Sequence, residues 1–232
     1  MNASPEASIV RVSARTGAIL FVFAFVFTAL MGATYYATRE PIAASEEKEK
    51  LKLINEVLPP QDYDNRLLAD QVEIAPAAEL GVASSRVFRA RKNGAPAALV
   101  VEAAAPDGYS GRIGLILAID ASGRVSGVRV TQHKETPGLG DYIDPAKDKN
   151  KASPWIRQFD GKGLAEVPAA QWKVKKDGGR FDQRAGATIS ARAVTRAVGR
   201  ALLFVNAHRD VLFAAPQGAR LDPSNSNPES KP

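Results

Sequence analysis

The sequence predicts one membrane-crossing helix followed by an α+β domain of antiparallel strands with segregated helices. Three observations carry that prediction. Twenty-three consecutive uncharged residues separate Arg15 from Arg39. Apolar side chains alternate at Ile113, Leu115, Leu117 and Ile119 and resume at Val128 and Val130 across a turn, which is the period of a strand pair. From Ser190 onward, Val194, Ala197, Val198, Ala201, Leu202 and Val205 form one stripe at helical spacing.

Residues 1–15 read as a short polar tail and 16–38 as the span. At helical rise the span covers roughly 34 Å, against a hydrocarbon core of about 30 Å. Tyr35 and Tyr36 stand at its far end, where interfacial aromatics belong. A cleavable signal peptide is the competing reading, but its apolar region is normally only about 7–15 residues. Arg11 and Arg15 precede the span while Arg39, Lys48, Lys50 and Lys52 follow it, so charge leaves its direction open.

Residues 39–85 form a juxtamembrane helix and linker. Ser45-Glu46-Glu47 supplies a cap and acids for a first turn, and Leu51, Ile54 and Leu58 recur at helical spacing until Pro59-Pro60. Residues 86–213 form the α+β domain. Val87-Phe88 and Ala98–Val101 are strands about Asn93-Gly94, and the hairpin over 113–130 turns at Asp120–Gly123 with Gly127 at a bulge. Trp172 and Val174 suggest a further strand before Asp177-Gly178-Gly179, ahead of the terminal helix. Residues 214–232, rich in Pro, Ser and Asn, read as a disordered tail.

Composition restricts the chemistry. The 232 residues hold 31 Lys+Arg against 25 Asp+Glu, a net +6 too small and too dispersed to indicate a nucleic-acid partner. With no Cys, a thiolate nucleophile, a Cys-held iron–sulfur cluster or zinc, and any disulfide are excluded. Two His and two Met leave almost no room for haem with a His–Met axial pair. Any redox chemistry therefore belongs to an organic cofactor. No strand-linked GxGxxG is present, so neither dinucleotide binding nor hydride transfer is expected on this chain.

Three segments could carry function. Gly108-Tyr109-Ser110-Gly111 is at least a turn feeding a strand. His133 to Gly140, containing Glu135, Thr136, Gly138 and Leu139, is an ordinary Pro-Gly turn or a loop whose amides approach a planar ligand. Asp182 to Ser190 is a helix start capped by Thr188 or Ser190. It is alternatively an anion site at a helix N-terminus, with small Gly186 and Ala187 leaving the Thr188 hydroxyl accessible. Ten Lys/Arg against three Asp/Glu over 171–220 permit an anion without requiring one.

In this order, behind a single anchor, these segments resemble the RnfG family, a component of the Rnf electron-transport complex. More widely they resemble the FMN-binding domain shared with a flavin-carrying component of the sodium-pumping NADH:quinone reductase. The family's GYxG-type segment, ETPGLG loop and D-x-x-(S/T)-G-A-T motif correspond to Gly108–Gly111, Glu135–Gly140 and Asp182–Thr188, with Ala185 where Ser or Thr is usual. The likeness covers the anchor and about residues 85–205. HKETPGLGD followed by Trp155-Ile156 and Phe159 is its most specific part, and Ile189 to Val194 lies closer to the Rnf branch.

The resemblance implies that residues 86–213 carry FMN joined by a phosphoester to Thr188, beside Gly186 and Ala187. Tyr109, Glu135, Thr136, Gly138 and Leu139 are then expected to contact the cofactor, with Tyr109 or Trp155 stacking on its ring. A separate flavin transferase would install the group from FAD, reading Asp182 as part of its motif; Ser190 is the nearby alternative hydroxyl. The implied role is an electron-relay subunit of an ion-translocating ferredoxin:NAD oxidoreductase, without substrate turnover of its own. Its partners would be the other Rnf subunits, and its place the bacterial inner membrane, with residues 1–15 cytoplasmic and the domain periplasmic. The rival readings are the flavin subunit of the sodium-pumping quinone reductase, a non-redox membrane-anchored scaffold, and a processed secreted binding protein.

Overall fold

The computed structural model describes residues 5–223. Its contacts divide the chain into Met1–Glu49 and Lys50–Pro232. Helix α1 runs over Pro5–Val57. Within the first unit Phe21, Phe23, Phe25, Val26, Phe27, Leu30 and Met31 are all exposed and lie on every side of the helix, the surface that suits lipid rather than a protein core. The Thr34 and Thr38 hydroxyls donate to the carbonyls of Leu30 and Thr34 at 2.9 and 2.8 Å, so neither leaves a bare polar group on that surface. The helix is long and apolar enough to cross a membrane. Ser45 does not open a new helix: α1 continues through it and past Pro41, because the Ala-, Glu- and Lys-rich run that follows favours helix. The polar tail expected over residues 1–15 is not separate from the span: α1 already begins at Pro5, and residues 1–4 lie outside the described residues.

In the second unit, β1 (Gln71–Ile74), β2 (Ser85–Lys92), β3 (Ala95–Gly108), β4 (Gly111–Asp120), β5 (Val125–Gln132) and β6 (Arg220–Leu221) form one sheet. Their spatial order is β5-β4-β3-β2-β1-β6. Every pairing is antiparallel except β1 with β6, which is parallel. The hairpins at Asn93-Gly94 and Asp120–Gly123 stand where turn chemistry put them, and the register of β4 on β5 shifts beside Gly127. Two strands escaped sequence reading. β1 lies in the expected linker, and β6 lies in the expected disordered tail, where its pairing with Glu73 and Ile74 orders Arg220 and Leu221. Residues 224–232 of that tail fall outside the described residues.

Both faces of the sheet are covered. On one, helix α2 (Thr188–Ala214) buries Ala191, Val194, Val198, Ala201, Leu202 and Val205 in a core shared with Val87, Leu99, Val101, Ile113, Leu115 and Leu117. On the other, the end of α1 seats Ile54, Val57 and Leu58 among Phe88, Ala90, Ala98, Val100, Ile116 and Ala118. Lys50 pairs with Glu102 at 2.8 Å and Glu56 with Arg129 at 3.0 Å beside it. Gly127 makes this contact possible, since a β-carbon there would lie 2.8 Å from both Cα and O of Val57.

Between β5 and α2 the chain is held by side chains rather than a ladder. Trp155, Phe159, Trp172 and Phe181 pack with ring centroids 4.8–6.3 Å apart. The strand expected at Trp172 and Val174 does not form. Trp172 follows a short 3-10 turn and donates its indole N–H to Val167 O at 2.9 Å, while Val174 makes only a single bridge to Phe181. Fully buried Asp148 is the polar centre of this region. It accepts from the backbone N–H of Trp155 at 2.7 Å and of Asn150 at 2.8 Å, and pairs with the Arg184 guanidinium. Burial alone would raise its pKa; the two amides and Arg184 outweigh burial and hold the carboxyl below its usual range.

Two outcomes follow from this packing. Gly127→Ala should destabilise the domain by about 1–3 kcal/mol through overpacking against Val57, measured by urea titration of the detergent-solubilised chain. Asp148→Asn should cost about 1–3 kcal/mol at pH 7. Because the folded carboxyl titrates below its unfolded value of about 3.9, this contribution is fully present above that value and is lost as pH falls through the folded one. The gap between wild type and variant should therefore be constant from neutral pH to about pH 5 and close in stronger acid.

Candidate functional site

Three segments remote in sequence meet in a cleft of about 280 Å³. They are the β3–β4 turn, the loop after β5 and the first turn of α2. Of the residues singled out from the sequence, Tyr109, Glu135, Thr136, Leu139, Gly186, Ala187 and Thr188 all line it. Gly138 does not. It sits one step outside, where its N–H donates to Asp141 Oδ1 at 2.9 Å and closes the loop. Gly140, the last residue of the ETPGLG string, Ser190, the alternative hydroxyl, and Ile189 complete the lining; of these, Ile189 had no signal of its own beyond following the GAT string.

The three segments are knotted together by Glu135, which is 4% exposed. One carboxylate oxygen accepts from the Ser110 backbone N–H at 3.0 Å and the other from the Ser190 hydroxyl. Its own N–H donates to Nδ1 of His133 at 3.1 Å. Room for this carboxylate depends on two glycines. A β-carbon on Gly108 would come within 2.9 Å of Glu135 Oε1, and one on Gly140 within 2.8 Å of Oε2 and 2.6 Å of Ser190 Oγ.

The Asp182–Thr188 segment is clamped by its backbone. Trp155 donates its indole N–H to Asp182 O at 2.6 Å, and Gln158 accepts from Asp182 N at 2.7 Å. The Asp182 side chain is left exposed, paired with Lys175 at 2.6 Å. Tyr142 is buried, and burial pushes its phenol above the usual value despite the nearby Arg184. The phenol oxygen accepts from Arg184 N at 3.2 Å and its O–H donates to Ala187 O at 3.3 Å, while the Arg184 guanidinium lies 4.5 Å from the ring centroid. Gly186 then takes φ +83°, a turn that an L side chain resists.

Neither Thr188 nor Ser190 caps α2. The cap position is Ala187, with no side-chain cap hydrogen bond, because Ser190 has turned its hydroxyl to Glu135 and Thr188 already lies inside the helix. The first-turn amides consequently face the cleft without a side-chain partner. Among the described residues the half-buried Thr188 hydroxyl makes no hydrogen bond. Around it stand three exposed apolar side chains, Tyr109 at 66%, Leu139 at 55% and Ile189 at 43%. Trp155, in contrast, is buried edge-on against Tyr142 and is absent from the cleft, so Tyr109 is the aromatic that the structure offers for stacking. The arrangement pairs a polar end, suited to an anion and carrying a free hydroxyl, with an apolar rim suited to a flat ring.

Residues 108–203 match the family model of the FMN-binding domain, and residues 1–57 match that of the RnfG N-terminal region. Full-length relatives agree. The chain is 41% identical over 211 residues to the ion-translocating oxidoreductase complex G subunit of Pseudoalteromonas atlantica, covering 90% of this chain and 96% of that one. It is 44% identical over 206 residues to the protein of the same name from Pseudomonas aeruginosa, covering 88% and 94%. Against that of Vibrio cholerae it is 43% identical over 203 residues, covering 87% and 94%. With a matching anchor region, a matching domain and relatives that align along nearly their whole length, the chain belongs to the RnfG family of ion-translocating oxidoreductase complexes.

Proposed function

We propose that this chain is the flavin-carrying relay subunit of such a complex, with FMN joined by a phosphoester to the hydroxyl of Thr188. The observation that carries the reading is the pairing of an unengaged Thr188 hydroxyl with the uncapped N-terminus of α2, in a cleft inside the FMN-binding domain. The residues present fit the group. First-turn amides and the positive end of the helix dipole favour the charge of a phosphodiester, and Tyr109, Leu139 and Ile189 give the ring an apolar bed. Bound there, FMN supplies the electron-carrying chemistry that a Cys-free chain cannot supply itself.

Attachment balances as a phosphoryl transfer. The Thr188 oxygen forms a bond to the FMN-side phosphorus of FAD, the pyrophosphate linkage breaks, AMP leaves and the hydroxyl proton is released. A separate transferase would perform it, reaching a segment whose backbone is fixed by Trp155, Gln158 and Tyr142. Ser190 is the weaker acceptor, being buried with its proton directed to Glu135. The protein would work among the other subunits of the complex in the bacterial inner membrane, with its domain on the periplasmic side and residues 1–15 in the cytoplasm. Turnover belongs to the assembled translocase rather than to this chain.

Peptide mass spectrometry of the chain from its native membrane, after denaturation has removed free flavin, tests the linkage. The peptide containing Thr188 should gain about 438 Da, the mass of FMN less water. Thr188→Ala should abolish the adduct and Ser190→Ala should retain it. An adduct on Ser190 would move the site, and unmodified peptide despite an active transferase would overturn the covalent reading.

A further inference from the structure

Glu135 offers more than a mechanical tie. Its carboxylate has capacity for about four hydrogen bonds, yet among the described residues it receives two, from Ser110 N–H and the Ser190 hydroxyl. Both partners are neutral. It makes no ion pair among the described residues. His133 does not pair with the carboxylate: its Nδ1 faces the Glu135 backbone N–H and its Nε2 lies toward Asp144. The carboxylate is nearly sealed from solvent but lies on the wall of the cleft that contains Thr188, where little water screens its field.

We propose that Glu135 is a fixed anion, paired with no cation among the described residues, that holds the reduction potential of the flavin in this cleft below the value it would otherwise take. The inference rests on the proposed presence of FMN there. An electron added to a ring beside a buried negative charge is disfavoured relative to the oxidised ring, and proteins tune flavins by charges placed in this way. Ser190 moderates the effect: its hydroxyl draws on the carboxylate and so weakens the field. In a role limited to bracing the cleft, charge would not matter and any residue preserving the two hydrogen bonds would serve.

Glu135→Gln separates the two. Glutamine keeps the shape, can accept from Ser110 N–H through its carbonyl, and can donate to a rotated Ser190 hydroxyl. The test is a spectroelectrochemical titration of full-length, flavin-loaded protein, with loading checked by mass and folding by thermal melting. At any fixed poise the reduced-to-oxidised ratio should rise about tenfold in Glu135→Gln, or about 30 mV for a two-electron couple. Glu135→Asp, which keeps the charge, should stay near wild type. Ser190→Ala should move the ratio the other way, by about threefold, since it removes a donor and leaves the charge. An unchanged potential in loaded, folded Glu135→Gln would overturn the proposal; if that variant does not fold, an unchanged or raised potential in Ser190→Ala would do so. Wild-type protein without flavin would overturn the covalent reading and this one with it, whereas a loaded wild type with a potential insensitive to residue 135 would overturn this one alone.

Discussion

The site depends on one buried carboxylate. Glu135 reaches across 25 residues of sequence to Ser110 and 55 residues to Ser190, so the β3–β4 turn, the loop after β5 and the start of α2 meet at this one side chain. Each hydrogen bond to a charged acceptor contributes about 1.5–3 kcal/mol, and the same carboxylate left bare in that position would be heavily penalised. The two terms act in the same direction, and both favour the three segments held together. Close approach is the condition. Gly108 and Gly140 are the positions at which any side chain would occupy the space of the carboxylate.

The knot can be this specific because what lies behind it is stiff. β3 and β4 are long, paired on both edges and buried on both faces, one by α2 and the other by the end of α1. A loop site is only as well placed as the elements that carry it. Here the β3–β4 turn is the end of the two longest strands, both inside the sheet, and the first turn of α2 is the end of the helix packed across them. The aromatic cluster of Trp155, Phe159, Trp172 and Phe181 does for the Asp182–Thr188 segment what the sheet does for the turn. It fixes a stretch with almost no ladder bonds by packing and by single hydrogen bonds to its backbone.

How much of this was readable from sequence follows from the range of the interaction responsible. The β4–β5 hairpin and the stripe of α2 were legible because turn chemistry and periodicity are local signals. β1 and β6 were not: four and two residues carry too little pattern, and their parallel pairing joins positions about 150 apart in sequence. Trp172 and Val174 looked like a strand because aromatic and β-branched residues favour strands, but tertiary packing of the rings prevailed. The cleft residues came together because strings in the sequence resembled a family, whereas the part played by Glu135 depends on two long-range donors that no spacing reveals. Ser190 shows the same limit. As a cap it was a sound local choice, and a partner 55 residues away claimed it.

That displaced cap is the clearest sign that the start of α2 is not arranged for stability alone. Ser, Thr, Asp or Asn at the cap position would contribute about 1 kcal/mol relative to alanine, and the chain has Ala187 there. Any capping oxygen at that position would bond the amides of the first turn and compete with an incoming anion for them. Ala187 leaves them free, Gly186 supplies the turn without a side chain, and Thr188 places its hydroxyl one residue inside, beside those amides. Capping preference is given up at Ala187, in the way that keeps the helix end open to a negatively charged group. A departure from a local rule of this kind is the pattern expected where function, rather than folding, selects the residue.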